Sequence, residues 1–277
     1  MSEAVCEICP HSCRLEEGGT GLCGARVNRN GTVVCGSYGW LTSIALDPIE
    51  KKPLRRFHPG SKILSVGSYG CNLRCPFCQN YEISMARDKG AGAVYAAPST
   101  LAEKAAELRP AGNIGLAFTY NEPLISFEYV RDCAGRVRAN GMETVAVTNG
   151  FIREKPLREL LPLLSAVNID LKGFTTEFYR KIGGNLDDVK RTIALASEAG
   201  CHVEVTTLVI PGENDSPEEM DRLSSWLAEV SPEIPFHVTR FFPRYRMADR
   251  PPTPVAAVYT LAELARKHLR YVYEGNC

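Results

Sequence analysis

From residue 61 onward, short apolar runs rich in β-branched residues alternate with longer stretches whose apolar residues return every three or four positions. A short, continuous apolar run suits a strand buried on both faces, and the 3.6-residue period suits a helix with one buried face. The predicted strands are "KILSVG", "NIGLAFTY", "ETVAVTNG", "AVNIDLKG", "HVEVTTLVI" and "FHVTRFF". Between them fall helices at "STLAEKAAELRP", with Ser99 as N-cap and Glu103 in the first turn, and at "ISFEYVRDCAGRVRANG", which ends at a glycine. Further helices are predicted at "EKPLRELLPLL", "NLDDVKRTIALASEAG" and "SPEEMDRLSSWLAEV", the last opening on Ser216 as N-cap and Pro217 as first helical residue. A final helix, "VAAVYTLAELARKHL", precedes a last short strand, "RYVYEG". Strands alternating with helices in this way predict βα units and a parallel sheet.

Six such units fall short of the roughly 250 residues of a closed eightfold barrel. The expected fold is α/β, a partial (β/α)6 TIM-like barrel over residues 61–277, with a doubly wound sheet as the alternative. In either fold the chemistry belongs in loops at the carboxyl ends of the strands. "GCNLRC", "TYNEP", "TNG", "DLKG", "IPGEND" and "FPRYR" each follow a predicted strand directly, which places them on one common face. Residues 1–60 read differently: they are rich in cysteine, glycine and charge and carry little helical periodicity. They are expected to form a small module held by its cysteines, with "GTVVCGSYGW" as a short strand and "DPIEKKPL" as an irregular connector.

Composition narrows the function. The 277 residues carry 32 acidic and 32 basic side chains, without the basic excess of a nucleic-acid or membrane-surface binder. "MSEAVCEICP" has neither the basic nor the apolar region of a signal peptide, and no apolar stretch reaches the ~18 residues of a membrane span. A cytoplasmic protein is expected. There, eleven cysteines point to metal ligands or catalysis rather than disulfides. They form two clusters, Cys6, Cys9, Cys13 and Cys23, then Cys71, Cys75 and Cys78. Cys35, Cys133, Cys201 and Cys277 are scattered and read as small buried hydrophobes or bystanders.

Cys71, Cys75 and Cys78 supply three thiolates with no fourth nearby. Structural zinc takes four protein ligands, and ferredoxin runs complete their set with a fourth cysteine. The x3-x2 spacing points to a [4Fe–4S] cluster with one open iron, able to chelate a small molecule; a zinc knuckle finished by a distant Cys or His is the other reading. The N-terminal four fit a metal knot in a segment too small for a core of its own. Zinc and an auxiliary iron–sulfur cluster both suit four thiolates, and a metal-free redox pair remains the other possibility. His11 can replace one cysteine or simply occupy a turn after Pro10. Other segments have plain structural readings: "NEP" as a helix-capping turn, "DLKG" as a surface salt bridge, "TNG" as a turn. "RFFPRYR" mixes arginine with aromatics as a nucleic-acid platform does, but neutral charge favours packing or a substrate contact. His58, His202, His237 and His268 show no partner in the sequence and read as structural or exposed.

"CNLRCPFC" resembles the Cys-x3-Cys-x-aromatic-Cys motif of radical S-adenosylmethionine (SAM) enzymes. The resemblance implies that Cys71, Cys75 and Cys78 hold a [4Fe–4S] cluster and that SAM fills the open iron. One electron then cleaves SAM, and a 5′-deoxyadenosyl radical abstracts hydrogen; the cofactor carries the chemistry and the protein positions it. By the same resemblance, Asn121 and Glu122 of "TYNEP" receive the SAM amino group, although Tyr120 and Asn121 stand where that family has glycines. Asp170 of "DLKG" faces the ribose or amino end, Lys172 the carboxylate, and Phe77 packs on adenine; Asn149 is a further SAM contact. More narrowly, "CEICPHSCRLEEGGTGLCGARVNRNG", "TSIALDPIEKKPLRRFHPGSKILSVGSYGCNLRCPFCQNYEIS" and "TYNEP" together resemble the radical SAM member of the AmmeMemoRadiSam system, kin to pyruvate formate-lyase activating enzyme. That resemblance implies AMMECR-type and Memo-type protein partners and an electron donor such as flavodoxin or ferredoxin. The substrate is a peptide, protein or small molecule. The alternatives are a glycyl-radical enzyme activase and a non-catalytic iron–sulfur or zinc protein.

Overall fold

A computed structural model describes residues 3–277. The N-terminal stretch is built from short antiparallel pairs. β1 (Ala4–Val5) pairs with β2 (Arg14–Leu15), and β3 (Arg26–Arg29) with β4 (Thr32–Cys35). β5 (Trp40–Leu41) is followed by β6 (Ser43–Pro48), which runs antiparallel to β7 (Lys62–Gly67). The short helix α1 (Tyr81–Ser84) and β8 (Val94–Tyr95), paired with β5, come next. The repeating part then runs α2 (Pro98–Glu107), β9 (Asn113–Phe118), α3 (Phe127–Ala139), β10 (Glu143–Thr148), α4 (Glu154–Leu160), β11 (Ala166–Asp170), α5 (Thr176–Lys181), α6 (Leu186–Glu198), β12 (His202–Val209), α7 (Pro217–Val230), β13 (Phe236–Arg240), α8 (Val255–Ala265) and β14 (Val272–Gly275).

The eight-stranded sheet has the order β14-β13-β12-β11-β10-β9-β7-β6. From β7 to β14 all neighbours are parallel and each new strand is added at the same edge. Right-handed crossovers that never reverse direction put every helix on one face. That excludes a doubly wound sheet, whose order must reverse at a switch point, and it leaves the other face to curl inward as a partial barrel. β6 covers one edge and β14 the other.

Most helix boundaries follow local chemistry. The Ser216 hydroxyl accepts from the Glu219 N–H with Pro217 opening α7, as the sequence indicates, and Asn185 and Thr175 cap α6 and α5 in the same manner. α2 departs from expectation: it starts at Pro98 after Ala97, and Ser99 lies inside the first turn, because proline is already set for a first helical position.

The connector "DPIEKKPL" is irregular over most of its length, as expected, but it is partly buried. Asp47 and Pro48 end β6, a 3-10 turn spans Ile49–Lys51, and the chain then enters the barrel interior. Ile49 and Leu54 are fully buried against Ile63, Ala117, Val145 and Ala166, one residue from each of β7, β9, β10 and β11. Small residues at 117 and 166 make room for this plug. Pro53 O accepts from Asn168 Nδ2 at 2.8 Å, and the Arg55 and Arg56 backbone N–H groups donate to Glu204. The plug closes the lower end of the barrel and raises a floor beneath the strand carboxyl ends.

Candidate active site

β7 delivers the chain into the loop that carries Cys71, Cys75 and Cys78. Gly70 makes the turn at φ +88°, where a Cβ would also meet Cys23 O at 2.4 Å, so both conformation and space demand glycine. Asn121 holds the start of this loop: its Oδ1 accepts from Ser68 N–H at 2.9 Å and its Nδ2 donates to Gly70 O at 3.0 Å. Farther on, Arg74 N–H donates to Ile182 O and Arg246 N–H to Pro76 O. All three cysteines line a cavity of about 350 Å³ on the inner face, reached by residues from the ends of β9 to β13. Two donors approach Cys71 Sγ, the Leu73 N–H at 3.4 Å and Asn149 Nδ2 at 3.6 Å. Burial pushes the Cys75 thiol up to about 11, against the pull of Lys172, and burial with the Glu122 charge pushes Cys71 up as well. Such thiols ionise at neutral pH when a metal displaces their protons. Three inward thiols with N–H donors beside them fit a site-differentiated iron–sulfur cluster.

Glu122 is buried at the end of β9 beside them. Its Oε1 accepts from the Leu124 N–H (3.0 Å) and the Thr148 hydroxyl (2.7 Å), and its Oε2 from the Asn149 N–H (2.8 Å). The capping reading of "NEP" is therefore correct for one oxygen, while the same side chain also lines the cavity. Burial raises Glu122 to about 7, the three hydrogen bonds opposing it. "DLKG" does form a salt bridge, Lys172 Nζ to Asp170 Oδ2 at 2.9 Å, but inside the cavity and not on the surface. Burial works to deprotonate Lys172; the Asp170 carboxylate and the Cys75 sulfur override it and raise its pKa. Phe77 lines the cavity and stacks on Phe178 at 6.1 Å. Asn149 also lines it, bonded through Nδ2 to Asn72 Oδ1 at 2.9 Å. Asn121 reaches the cavity with its polar atoms already bonded to backbone, so its part here is to brace the cysteine loop.

Several lining residues were not among the expected site residues. Tyr120 takes a left-handed backbone, φ 73°, a conformation natural to glycine. Its hydroxyl donates to Asp47 Oδ2 at 2.6 Å, Lys52 Nζ binds the same oxygen at 2.8 Å, and the ammonium lies 4.6 Å over the Tyr120 ring. Thr206 and Thr239 add hydroxyls from β12 and β13. Inward polar residues at alternate strand positions, Asn168 and Asp170 or Glu204 and Thr206, are the pattern that marks a barrel lining.

The N-terminal cysteines are elsewhere. Cys6, Cys9, Cys13 and Cys23 line one nearly closed chamber with His11 and Arg26. Burial and the neighbouring thiols of Cys6 and Cys23 push Cys9 up to about 12, its hydrogen bonds opposing them; Cys23 is raised chiefly by burial. His11 Nε2 lies 2.8 Å from Asn72 O, a tie to the barrel loop. Among the described residues no three Cys, His, Asp or Glu side chains already stand around a single-ion position. The other histidines have structural partners: His202 and His237 on Glu204, His268 on Asp221, and His58 near Glu143 at 3.7 Å. Tyr245 of "RFFPRYR" stacks on Tyr81 at 4.6 Å, and Arg240 Nε donates to Thr253 O at 2.6 Å, so this segment packs against the chain that follows the cysteine loop and against its own downstream turn. Among the described residues, no helix is long and apolar enough to cross a membrane.

The family model of the radical SAM superfamily matches residues 65–224. That span contains Cys71 through Lys172 and leaves the N-terminal cysteines outside. Over 274 residues the chain is 38% identical to an uncharacterized protein of Methanocaldococcus jannaschii, covering 98% of this chain and 80% of that one. It is 25% identical over 179 residues to the pyruvate formate-lyase 1-activating enzyme of Escherichia coli, covering 62% of this chain and 70% of the relative. Among solved structures, a domain of a pyruvate formate-lyase-activating enzyme from Bacteroides vulgatus superposes with a TM-score of 0.51 at 16% identity, over 59% of this chain and 99% of that domain. SuiB of Streptococcus suis bound to S-adenosylmethionine gives 0.60 at 16% identity, over 78% of this chain and 52% of SuiB. At such identities the two superpositions speak for the fold.

Proposed function

This chain belongs to the radical SAM superfamily, and from that premise we propose that it is an activating-enzyme-like catalyst of hydrogen abstraction from a peptide, protein or small molecule. One observation carries the reading: three thiols, a buried carboxylate and a Lys–Asp pair face a single cavity at the strand carboxyl ends. Bound there, a [4Fe–4S] cluster and SAM would supply the one-electron reductive chemistry that starts hydrogen abstraction. The chain's own residues hold and orient. Cys71, Cys75 and Cys78 give the thiolates. Glu122 offers its carboxylate to the SAM ammonium and Lys172 its ammonium to the SAM carboxylate, both charge-assisted contacts. Asp170 positions Lys172 and faces the ribose, Phe77 supplies an apolar face for adenine, and Asn149 spans the thiol and carboxylate sides.

The loops after β9, β10 and β11 are only residues 119–122, 149–153 and 171–175. Loops this short leave the mouth to be covered by something else. A partner or a large substrate would exclude water and position the hydrogen to be removed. AMMECR-type and Memo-type proteins are the proposed partners, with a flavodoxin- or ferredoxin-class electron donor. A second metal, zinc or iron–sulfur, at Cys6, Cys9, Cys13 and Cys23 completes the cofactor set. The likeness to pyruvate formate-lyase activating enzyme favours, as a second reading, action on a glycyl-radical protein.

The test is anaerobic reconstitution followed by iron and sulfide analysis and a SAM cleavage assay. Deoxyadenosine should form slowly with a strong reductant alone, and its rate or label content should change when partners and a deuterated substrate are added. An iron-loaded protein that forms no deoxyadenosine would overturn the radical reading. Full coupled turnover on a free small molecule without a partner would overturn the need for one.

A further inference from the structure

The N-terminal thiols lie outside the SAM cavity, yet their loops grip the loop that lines it. Arg26 shares their chamber and is 4% exposed. Its terminal nitrogens are engaged by Glu128 and by Val33 O, but its Nε finds no acceptor among the described residues. A buried guanidinium N–H without an acceptor is rare and costly. Neutral thiols are weak acceptors, whereas a thiolate in the same chamber would be a strong one. Four thiolates lining one small chamber would repel one another unless a cation sat among them.

The contacts to the barrel loop are direct. Cys71 N–H donates to Cys23 O at 3.1 Å, the Arg74 guanidinium donates to Leu22 O, and the same guanidinium donates to Cys71 O at 2.7 Å. His11 Nε2 reaches Asn72 O at 2.8 Å. Gly70 passes so close to Cys23 O that no larger residue fits. A loop held by its neighbour's backbone is only as ordered as that neighbour, and the segment around Cys6–Cys23 has few apolar residues of its own.

We infer that the chamber is a second thiolate-held metal centre whose filling fixes the loop of Cys71, Cys75 and Cys78. This deepens the second-metal part of the proposed function and stands apart from the radical chemistry. Loading replaces the four thiol protons by one metal centre, releases those protons to solvent, and draws the sulfurs together around it. No electron is transferred in this step. Zinc and an iron–sulfur cluster share this chemistry, and analysis distinguishes them.

The experiment starts from a chain in which Cys71, Cys75 and Cys78 are all changed to alanine, purified anaerobically. It should retain either about one zinc per chain or iron with matching sulfide; a folded, metal-free product that also fails to take up added Zn²⁺ would overturn the site. Titrated with Co²⁺ after metal removal, this variant should develop thiolate charge-transfer absorption. Further change of Cys9 and Cys23 to serine should abolish that absorption, and its persistence would overturn the ligand assignment. The coupling is read by hydrogen exchange. Adding Zn²⁺ to the stripped variant should slow the amides of residues 70–74 about tenfold while β11 and β12 stay unchanged. Metal uptake with no change at 70–74 would overturn the coupling. None of these measurements uses SAM, so they fail or succeed independently of the radical reading.

Discussion

Glu204 offers a quantitative test of how the barrel floor is held. It points inward from β12, fully buried, and each carboxylate oxygen receives two donors. Oε1 takes His202 Nε2 at 2.9 Å and the Arg56 N–H at 2.8 Å; Oε2 takes His237 Nε2 at 2.6 Å and the Arg55 N–H at 3.0 Å. Burial alone would raise its pKa, but these four donors outweigh it and bring Glu204 from 4.5 to about 2. At 1.36 kcal/mol per pH unit, a depression of that size corresponds to about 3 kcal/mol of folding stability. Glu204→Gln keeps the volume, removes the charge and turns an NH2 toward one pair of donors. We expect it to lose about 3 kcal/mol, a fall of roughly 6–12 °C in Tm for a chain of this size.

The pH dependence follows from the sign. A carboxylate with a depressed folded pKa stabilises fully above its unfolded value, and the contribution is lost as pH falls from about 4.5 toward 2. The gap between wild type and Glu204→Gln should therefore be the same at pH 7 and pH 5 and smaller at pH 3. Thermal and urea denaturation followed by circular dichroism measure it. Hydrogen exchange should accelerate first at the Arg55 and Arg56 amides, which Glu204 anchors. A gap below about 1 kcal/mol, or one that already closes between pH 7 and pH 5, would refute the assignment.

Cys75→Ala should abolish reductive SAM cleavage while the circular dichroism spectrum keeps its α/β shape; undiminished deoxyadenosine would remove Cys75 from the cluster. Glu122→Gln and Lys172→Ala should each weaken SAM binding about tenfold or more, as loss of a charge-assisted contact does, with iron at the barrel thiols retained. Unchanged affinity, by equilibrium dialysis, in both variants would return them to capping and ion-pairing alone. Gly70→Ala meets a left-handed φ and Cys23 O at 2.4 Å. It should destabilise the chain by about 2 kcal/mol or more and lower iron loading at Cys71, and wild-type stability in urea would show that the loop yields freely.

The elements of the barrel were legible because the signals that set them are local. Apolar run length, a 3.6-residue period, Ser216 before Pro217 and a glycine after a strand all act within a few residues of chain. The three-cysteine loop was legible for the same reason, since a ligand spacing is written in consecutive positions, and so were Glu122, Asp170 and Lys172 at strand ends. The plug was not. "DPIEKKPL" has no period to show that Leu54 lies between Ala117 and Ala166, or that Lys52 and Tyr120 share Asp47. Asn121 could be read as a strand-end residue but not as a brace, because its partners Ser68 and Gly70 come from another strand's loop. What the sequence determines alone is the core strands β7 and β9–β13, the longer helices between them and which residues stand at the strand ends; the short pairs of the N-terminal stretch and the brief helices α1 and α5 carry no such signal. Which of those ends meet, what fills the barrel beneath them, and how closely Cys23 lies against Cys71 depend on sheet order and curvature. Those are set by contacts between residues tens of positions apart, whose favourable free energy appears only after the chain has closed the loops between them.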